Sequence, residues 1–416
     1  MADIHNQKNQ QNQKNQKIEY RKVTPEEKLH VARVQGIAFG SVPNEKEIRE
    51  QIAKGEYNSD DTYGAVDENG HVLAGMEIFP YTMWFDGHKA PMYGIGGVAS
   101  MPESRRQGNI RKIFEKVFDD IYEKGAVFSH LYPFSHDYYR KFGYEQCGAV
   151  KKYILPLGPA RKLKNNGTPH EFIKSENAEN SDGVRDKLIE VHEAFAARHN
   201  VMISRSENRW NEVFNVSLFG IDRLYYWKNS DSDIKSWVKF KKSGDTMEIH
   251  DIAWTDHESM LGILQFMGMF EGAAGRMSLR ASPEFIAELY WNNLYEIGTE
   301  NHWMGMNRVV NAKRALELMK KPCGEGRFTI KVADGFAKWN NNTYSVKYGG
   351  GECIVNVNVS ETTPDIVVSE HALMQMVLGV YEFEQIARRD DVQINGNTQI
   401  LRQAFYKKNL LLTDFF

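Results

Sequence analysis

One stretch constrains the fold of this chain more than any other: GGVASMPESRRQGNIRKIFEKVF, Gly96–Phe118. It passes from a short apolar run, through Arg and Gly, into a segment with a one-sided helical pattern. Ile110, Ile113, Phe114, Val117, Phe118, Ile121 and Tyr122 recur on one face, with Lys112, Glu115, Lys116, Asp119, Asp120, Glu123 and Lys124 opposite. Gly125 stops the helix. A helix N-terminus presents unpaired N–H groups and a partial positive charge. Where glycine admits a ligand and arginines flank it, such a joint suits a diphosphate. Arg105, Arg106, Gln107 and Gly108 stand at this helix start, and Arg111 lies one turn past Gln107. Gly96 and Gly97 weaken the preceding strand and point to a bulge or a close backbone approach. An ordinary basic turn before a core helix would read the same in isolation, so the flanking elements carry the argument.

Those elements are consistent. TPEEKLHVARVQGIAFG (Thr24–Gly40) opens with a helix-entry signature and continues with an apolar face at Leu29, Val31, Val34 and Ile37. From Thr62 the period changes to two, with Asn69-Gly70 and Asp86-Gly87 as hairpin signals between three antiparallel strands. After the helix, AVFSHLYPF (Ala126–Phe134) predicts a buried strand, and HDYYRKFGYE (His136–Glu145) a short helix and turn feeding a final strand. The lysine-rich linker Leu157–Pro169 marks a boundary. A middle region follows, with a long helix over Arg185–His199, the strand Leu224–Lys228 and a second strand–helix unit. From about Pro283 strand signals return (RFTIKVAD, YSVKYGGGECIVNVNVS), with a helix at SEHALMQMVLGV. The opening HNQKNQQNQKNQK (His5–Lys17) has nothing to bury and is expected to be a disordered tail.

At 416 residues the chain exceeds one ordinary core, and two or three domains are expected. Its 41% hydrophobic and 12% aromatic content supplies large cores. A net charge of −3 leaves no basic footprint for nucleic acid. Cys147, Cys323 and Cys353 are far apart and odd in number, which reads as reduced thiols; no disulfide framework and no metal site are expected. No apolar run approaches the roughly 20 residues that span a bilayer. With no signal-peptide pattern either, a cytoplasmic chain free of the membrane is the expectation.

Arg105-x-x-Gly108-x-Ile110 resembles the Arg/Gln-x-x-Gly-x-Gly/Ala loop of the GNAT N-acetyltransferase superfamily, and YYRKFGYE resembles that superfamily's fourth motif. Ile110 departs from the pattern and makes the last backbone N–H less accessible. Over nearly the whole chain, the order of regions resembles the enhanced intracellular survival (Eis) type of N-acetyltransferase. PDIVVSEHALMQMVLGVYEFEQI and the helical tail are similar to its third domain. The resemblance implies an α/β (α+β) fold behind the tail of residues 1–17: a GNAT domain over 18–157, a second, degenerate GNAT-like domain over 158–282, and a sterol-carrier-protein-like α/β domain over 283–416 that ends in the active site. It implies acetyl-coenzyme A as acetyl donor, with pantetheine inserted between splayed fourth and fifth strands. The backbone of Val98, Ala99 and Ser100 would meet the pantetheine, and Arg105, Arg106, Gln107, Gly108, Asn109, Ile110 and Arg111 the phosphates. Phe134 and Ser135 would border the thioester.

Acetyl transfer to an amine needs the amine deprotonated and the departing thiolate protonated. MYGIGGVAS carries no carboxylate, and Glu103 beyond it reads as a salt-bridge partner of the arginines. His130 and His136 read as structural. Tyr139 is the acid candidate, because a phenol with a pKa of about 10 is protonated at neutral pH; Tyr138, Phe142 and Tyr144 share its alternative role of packing. The family resemblance makes the carboxylate of the last residue, Phe416, the base. Apolar Leu410–Leu412 and the final Phe-Phe fit a buried end rather than a polar, mobile one. The resemblance further implies amine substrates, with aminoglycosides acetylated at several positions as in antibiotic resistance, and a homo-oligomer, a hexamer. The acid clusters Asn44–Gln51 and Ser59–Tyr63 read as solvated surface, and Trp84, Phe39 and the terminal Phe residues as candidates for an apolar lining. Two other readings stand beside this one: a protein-lysine or polyamine acetyltransferase, and a non-catalytic lipid-binding or scaffold protein, which Ile110 alone favours. QFMGMF (Gln265–Phe270) also fits the loop pattern, but it ends a helix, where the dipole has the wrong sign for phosphate, so it reads as core-facing.

Overall fold

The computed structural model describes residues 17–54, 61–173, 179–321, 324–350, 352–358 and 363–415. The expected polar tail, Cys323 and Phe416 lie outside the described residues, apart from Lys17 at the tail's end. The chain begins β1 (Ile18–Lys22), α1 (Pro25–Phe39), α2 (Glu45–Ala53), β2 (Thr62–Asp67), β3 (Val72–Phe85), β4 (His88–Ser100), α3 (Asn109–Glu123), β5 (Phe128–Leu131), α4 (His136–Arg140) and β6 (Glu145–Gln146). Thr24 and Glu27 form the capping box of α1, and Gly40 closes it in the left-handed conformation. Asp86 and Gly87, with φ of 51° and 83°, make the tight β3–β4 turn that two positive-φ residues favour.

These strands form a sheet ordered β1-β2-β3-β4-β5-β15-β6, with β9 (Ile203–Ser204) paired to β3. The strand β15 (Met306–Val309) arrives from far along the chain and pairs antiparallel with both β5 and β6. The apolar face of α3 packs on this sheet: Ile113, Phe114, Val117 and Phe118 share a core with Tyr63, Ile78, Tyr139, Phe142 and Tyr144.

A second sheet runs β14-β7-β13-β12-β11-β10-β8. Its strands are β7 (Ala149–Pro156), β8 (Thr168–Phe172), β10 (Asp222–Lys228), β11 (Ile234–Ser243), β12 (Thr246–Trp254), β13 (Arg276–Arg280) and β14 (Gly298–Trp303). Among its helices are α5 (Leu157–Ala160), α6 (Glu179–Ala196), α7 (Glu207–Val213) and α8 (His257–Gly268). Sheet membership therefore departs from the borders expected at residues 157 and 283. Residues 149–156, expected in the first unit, pair with β13 and β14; residues 298–303, expected in the third, belong to the second sheet, and 306–309 to the first. The third unit holds α9 (Ala312–Leu318), β16 (Gly326–Ala333), β17 (Thr343–Gly349), β18 (Glu352–Val357), β19 (Ile366–Ser369), α10 (Glu370–Leu378), α11 (Phe383–Ile386), β20 (Val392–Ile394) and α12 (Thr398–Ala404), with sheet order β18-β17-β16-β19-β20. Phe328, Ile330, Val346, Leu373, Val377 and Phe405 fill its interior.

Buried polar contacts lock the three units. Arg308 of β15 donates from Nη2 to both carboxylate oxygens of Asp334, at 2.8 and 2.9 Å. At the tip of the β3–β4 turn, Asp86 accepts from Asn200 Nδ2 at 3.0 Å and from Lys408 Nζ at 2.5 Å. No helix among the described residues is long and apolar enough to cross a membrane. Cys147 and Cys353 are free thiols.

Candidate active site

The site begins with a defect in β4. Gly75 faces Ala99 and Glu77 faces Gly96, so Gly97 and Val98 bulge opposite Met76. Gly97 has a φ of 60°, and a side-chain carbon there would stand 2.1 Å from the Gln35 amide, which donates to Gly97 O at 3.1 Å. Glycine takes this turn of backbone without strain, whereas a side chain there would displace Gln35. On its other side β4 pairs with β5 in parallel at Met92–Phe128, Tyr93–Ser129 and Gly94–His130, and at no later residue. The strands then part. The gap forms a cleft of about 760 Å³, a volume ordinary for a small-molecule site. Val98, Ala99 and Ser100 line one wall and Phe134, Tyr138 and Phe142 the other; Arg105, Arg106, Gly108, Asn109, Ile110 and Arg111 form the end, and Ala38, Phe39, Ser104 and Lys141 complete it.

The end wall is built for an anion. Gly108 is the N-cap of α3, left-handed with φ 84°, and no side chain caps the helix. The first N–H groups of α3 thus remain available to a ligand. Arg106, two residues earlier, is also left-handed with φ 63°, a conformation that costs about 1 kcal/mol or more for a residue with a side chain. Arg105 and Arg106 are exposed and make no ion pair among the described residues. Arg111 pairs with Glu115 at 3.3 Å and lies 5.3 Å over the Phe336 ring. With Lys141, four cations face the cleft, and no lining residue is acidic.

Ten of the twelve residues expected to hold the donor meet in this cleft; Gln107 and Ser135 do not line it. Gln107 Nε2 donates back to Glu103 O at 3.2 Å. Ser135 Oγ accepts from Tyr138 N at 3.3 Å as the N-cap of α4. Asn109 contributes backbone only: its buried side chain accepts from Tyr20 OH at 3.0 Å and donates to Ser104 O at 3.5 Å. The Ile110 side chain turns into the core. Glu103 makes no ion pair with the arginines among the described residues.

Tyr139 stands behind the cleft wall rather than in it. It is buried, with its ring edge-on to Phe134 at 5.3 Å, to Tyr138 at 5.3 Å and to Phe114 at 6.4 Å. Burial raises its phenol pKa above the ordinary value, so it stays protonated. Its neighbour Tyr138 reaches the lining, as do Lys141 and Phe142; α4 has only five residues, too short a helix for the sequence to show which of its neighbouring aromatics faces the cleft. His130 is wholly buried, and burial depresses its pKa to about 3, so it is a neutral core group. His136 is an exposed first residue of α4. Trp84 lies at the far end of β3, where its N–H backbone group donates to Met202 O at 2.7 Å. The acidic stretch around α2 is solvated and pairs internally, Arg49 with Glu45 at 2.6 Å. Ser59 and Asp60 lie outside the described residues.

Asp414 and Phe415 approach the same end of β5. Leu410, Leu411 and Leu412 are buried as expected, while Phe415 is exposed. Tyr132, just past β5, donates from its hydroxyl to Asp414 O at 2.8 Å, and its ring lies 4.3 Å from that of Phe415.

Residues 19–147 match the model of an acetyltransferase (GNAT) domain, and residues 312–410 that of a sterol carrier protein domain. The molecule thus combines an N-terminal acyltransferase domain of the GNAT type with a C-terminal sterol-carrier-like domain. It is similar to an uncharacterized N-acetyltransferase of Streptomyces griseus, 23% identical over 199 residues, or 47% of each chain. The chain spans about half the length of the curated relatives it matches. Over 96% of its length it shares the fold of a probable N-acyltransferase from Enterococcus faecalis (TM-score 0.80, 20% identity, 100% of that chain). It likewise shares the fold of Eis1 from Mycobacterium abscessus (TM-score 0.75, 16% identity, 96% of this chain and 100% of that one).

Proposed function

We propose that the protein is an acetyl-coenzyme A-dependent N-acetyltransferase of amines, of the Eis type, with aminoglycosides as substrates acetylated at more than one position. The observation that carries this reading is the open parting of β4 and β5, ending on an uncapped helix N-terminus beside three arginines. A diphosphate linker fits that end, and the apolar walls suit a pantetheine arm. In this reading the amine nitrogen attacks the thioester carbonyl carbon; the C–N bond forms and the C–S bond breaks. The phenol of Tyr139 gives its proton to the departing thiolate, and the terminal carboxylate of Phe416 takes the proton lost by the amine. Two features support these roles: burial keeps the Tyr139 phenol protonated directly behind Phe134 and Tyr138 of the cleft wall, through which the proton would have to reach the thiolate, and Asp414 and Phe415 lie beside Tyr132, two residues before Phe134. The same reading includes a cytoplasmic homo-hexamer, which sedimentation of the purified protein tests.

Free-thiol release from acetyl-coenzyme A in the presence of kanamycin or tobramycin is the direct test. Absence of release with any amine, despite donor binding, would remove the enzymatic reading. Tyr139→Phe is expected to lower kcat about a hundredfold, the usual range for a lost general acid, with donor affinity within twofold. Tyr138→Phe should keep most of the activity; equal losses in both would make Tyr139 a packing residue.

A further inference from the structure

The second unit shows a parting of strands but, among the described residues, no uncapped helix start beside it, and it grips Thr413–Phe415 instead. β12 and β13 run parallel only at Thr246–Arg276, Met247–Met277 and Glu248–Ser278. Beyond that the loop after α6 lies across the gap: Arg198 Nη2 donates to Trp254 O at 2.9 Å, and His199 Nε2 meets Ser282 Oγ at 2.7 Å. The terminal segment runs along this loop, with Asn200 N donating to Asn409 O at 2.7 Å and Leu411 N to Asn200 O at 3.1 Å.

Three successive carbonyls at the end of that segment are each taken by a different element. Arg280, the last residue of β13, donates to Thr413 O at 3.3 Å; Tyr132 of the first unit donates to Asp414 O at 2.8 Å; Arg209 of α7 donates to Phe415 O at 2.7 Å. The Asp414 side chain is held as well. Arg205, with a 3% exposed side chain, donates from Nε and Nη2 to its two oxygens at 2.9 and 3.2 Å. Arg205 Nη1 stands 2.6 Å from Asp251 of β12, an ion pair off the hydrogen-bond angle. One guanidinium therefore ties the second sheet to the tail, and a two-point fork fixes orientation as well as position. Chain ends otherwise fray.

We propose that Arg205, set by Asp251 and gripping Asp414, is a positioning residue, and that with Arg209 it makes the second unit the cradle that aims the chain's last residues at the first unit's active site. This rests on the reading in which the terminal carboxylate is the base. It assigns a task to a unit whose own strand-to-helix joint is capped by Asp256.

The test compares kcat, donor KM and melting temperature for the full chain, Asp414→Asn, Arg209→Ala and Arg205→Lys, beside a chain extended by several residues after Phe416. Asp414→Asn should lower kcat at least tenfold and Arg209→Ala three- to tenfold, with donor KM within twofold. Arg205→Lys, which keeps the charge but loses the fork, should fall between wild type and Asp414→Asn. A silenced extended chain alongside fully active Asp414→Asn and Arg209→Ala would overturn the cradle and leave the base reading standing. An active extended chain would overturn the base reading and the cradle with it. A loss expressed in donor KM at unchanged kcat would overturn the positioning role. Should Asp414→Asn fail to fold, Arg209→Ala on the half-exposed face of α7 decides alone.

Discussion

The first and second units each carry a strand that leads into a helix beside a parting sheet, and they treat the helix start in opposite ways. At α3 the N-cap is Gly108, left-handed and without a capping side chain, among Arg105, Arg106 and Arg111. At α8 the N-cap is Asp256, whose Oδ1 accepts from Ser259 N at 2.8 Å while Ser259 Oγ accepts from Asp256 N at 3.2 Å. One helix offers its N–H groups and positive end to a ligand; the other satisfies them internally and adds the negative charge of Asp256 and Glu258. The gaps differ in the same sense. The first is an open cleft, whereas Arg198 and His199 cross the second. One framework thus presents either an open gap with an uncapped, basic helix start or a filled gap with a capped, acidic one.

The sharpest way to break this contrast is to give α3 the cap of α8. Gly108→Asp tolerates the left-handed backbone better than most residues, and its carboxylate would claim the N–H groups and repel phosphate. Affinity for acetyl-coenzyme A should fall about a hundredfold, or ~2.7 kcal/mol, as read by calorimetry, with little change in the unfolding midpoint. Unchanged affinity would mean that the coenzyme is held elsewhere.

How far the sequence carried this picture follows from the range of each signal. The pattern Ile110 to Tyr122, the Asp86-Gly87 turn and the paired glycines of β4 are local, and each produced the expected helix, hairpin and bulge. The arginine–glycine loop is likewise local, and its residues apart from Gln107 line the cleft. The decoy at Gln265–Phe270 ends α8 with Phe266 and Met267 buried, although Met269 is exposed. Long-range pairings left no comparable trace. Four residues, Met306–Val309, cannot state that their partners are β5 and β6. Arg205 and Asp414 meet across 209 positions. Neighbours of like chemistry are equally opaque: only the backbone decides that Tyr138 reaches the cleft while Tyr139 sits behind it, or that Ser135 serves as a cap.

Acidification gives a smaller effect that weighs the two units against each other. His130 in the first and His192 and His199 in the second are all held neutral by burial. A histidine whose folded pKa lies below its unfolded value stabilises the fold above pH 6.5 and loses that contribution as pH falls toward the folded value. For His130, depressed from 6.5 to about 3, the loss at pH 5 is on the order of 2 kcal/mol. The melting temperature should therefore drop between pH 7 and pH 5. His192 makes no close hydrogen bond among the described residues, its Nδ1 standing 3.7 Å from Glu193 Oε1, so His192→Leu should flatten the pH slope without a large loss at pH 7. A slope unchanged by that substitution would show that the second unit takes no share of the acid sensitivity.

The smallest expected effect separates the two differences between the helix starts. Asp256→Ala removes the cap of α8 and should cost about 1 kcal/mol of stability, the usual toll for a lost N-cap, measured as a shift in denaturant midpoint at constant slope. It should not create a second coenzyme site. The residues at that start, Thr255, Asp256, His257 and Glu258, include no arginine, and the loop carrying Arg198 and His199 still crosses the gap where a pantetheine would lie. If the uncapped variant bound a second equivalent of acetyl-coenzyme A, the cap alone would have kept the second unit from the donor. A stoichiometry of one per chain instead places the loss in the filled gap, which the cap merely accompanies.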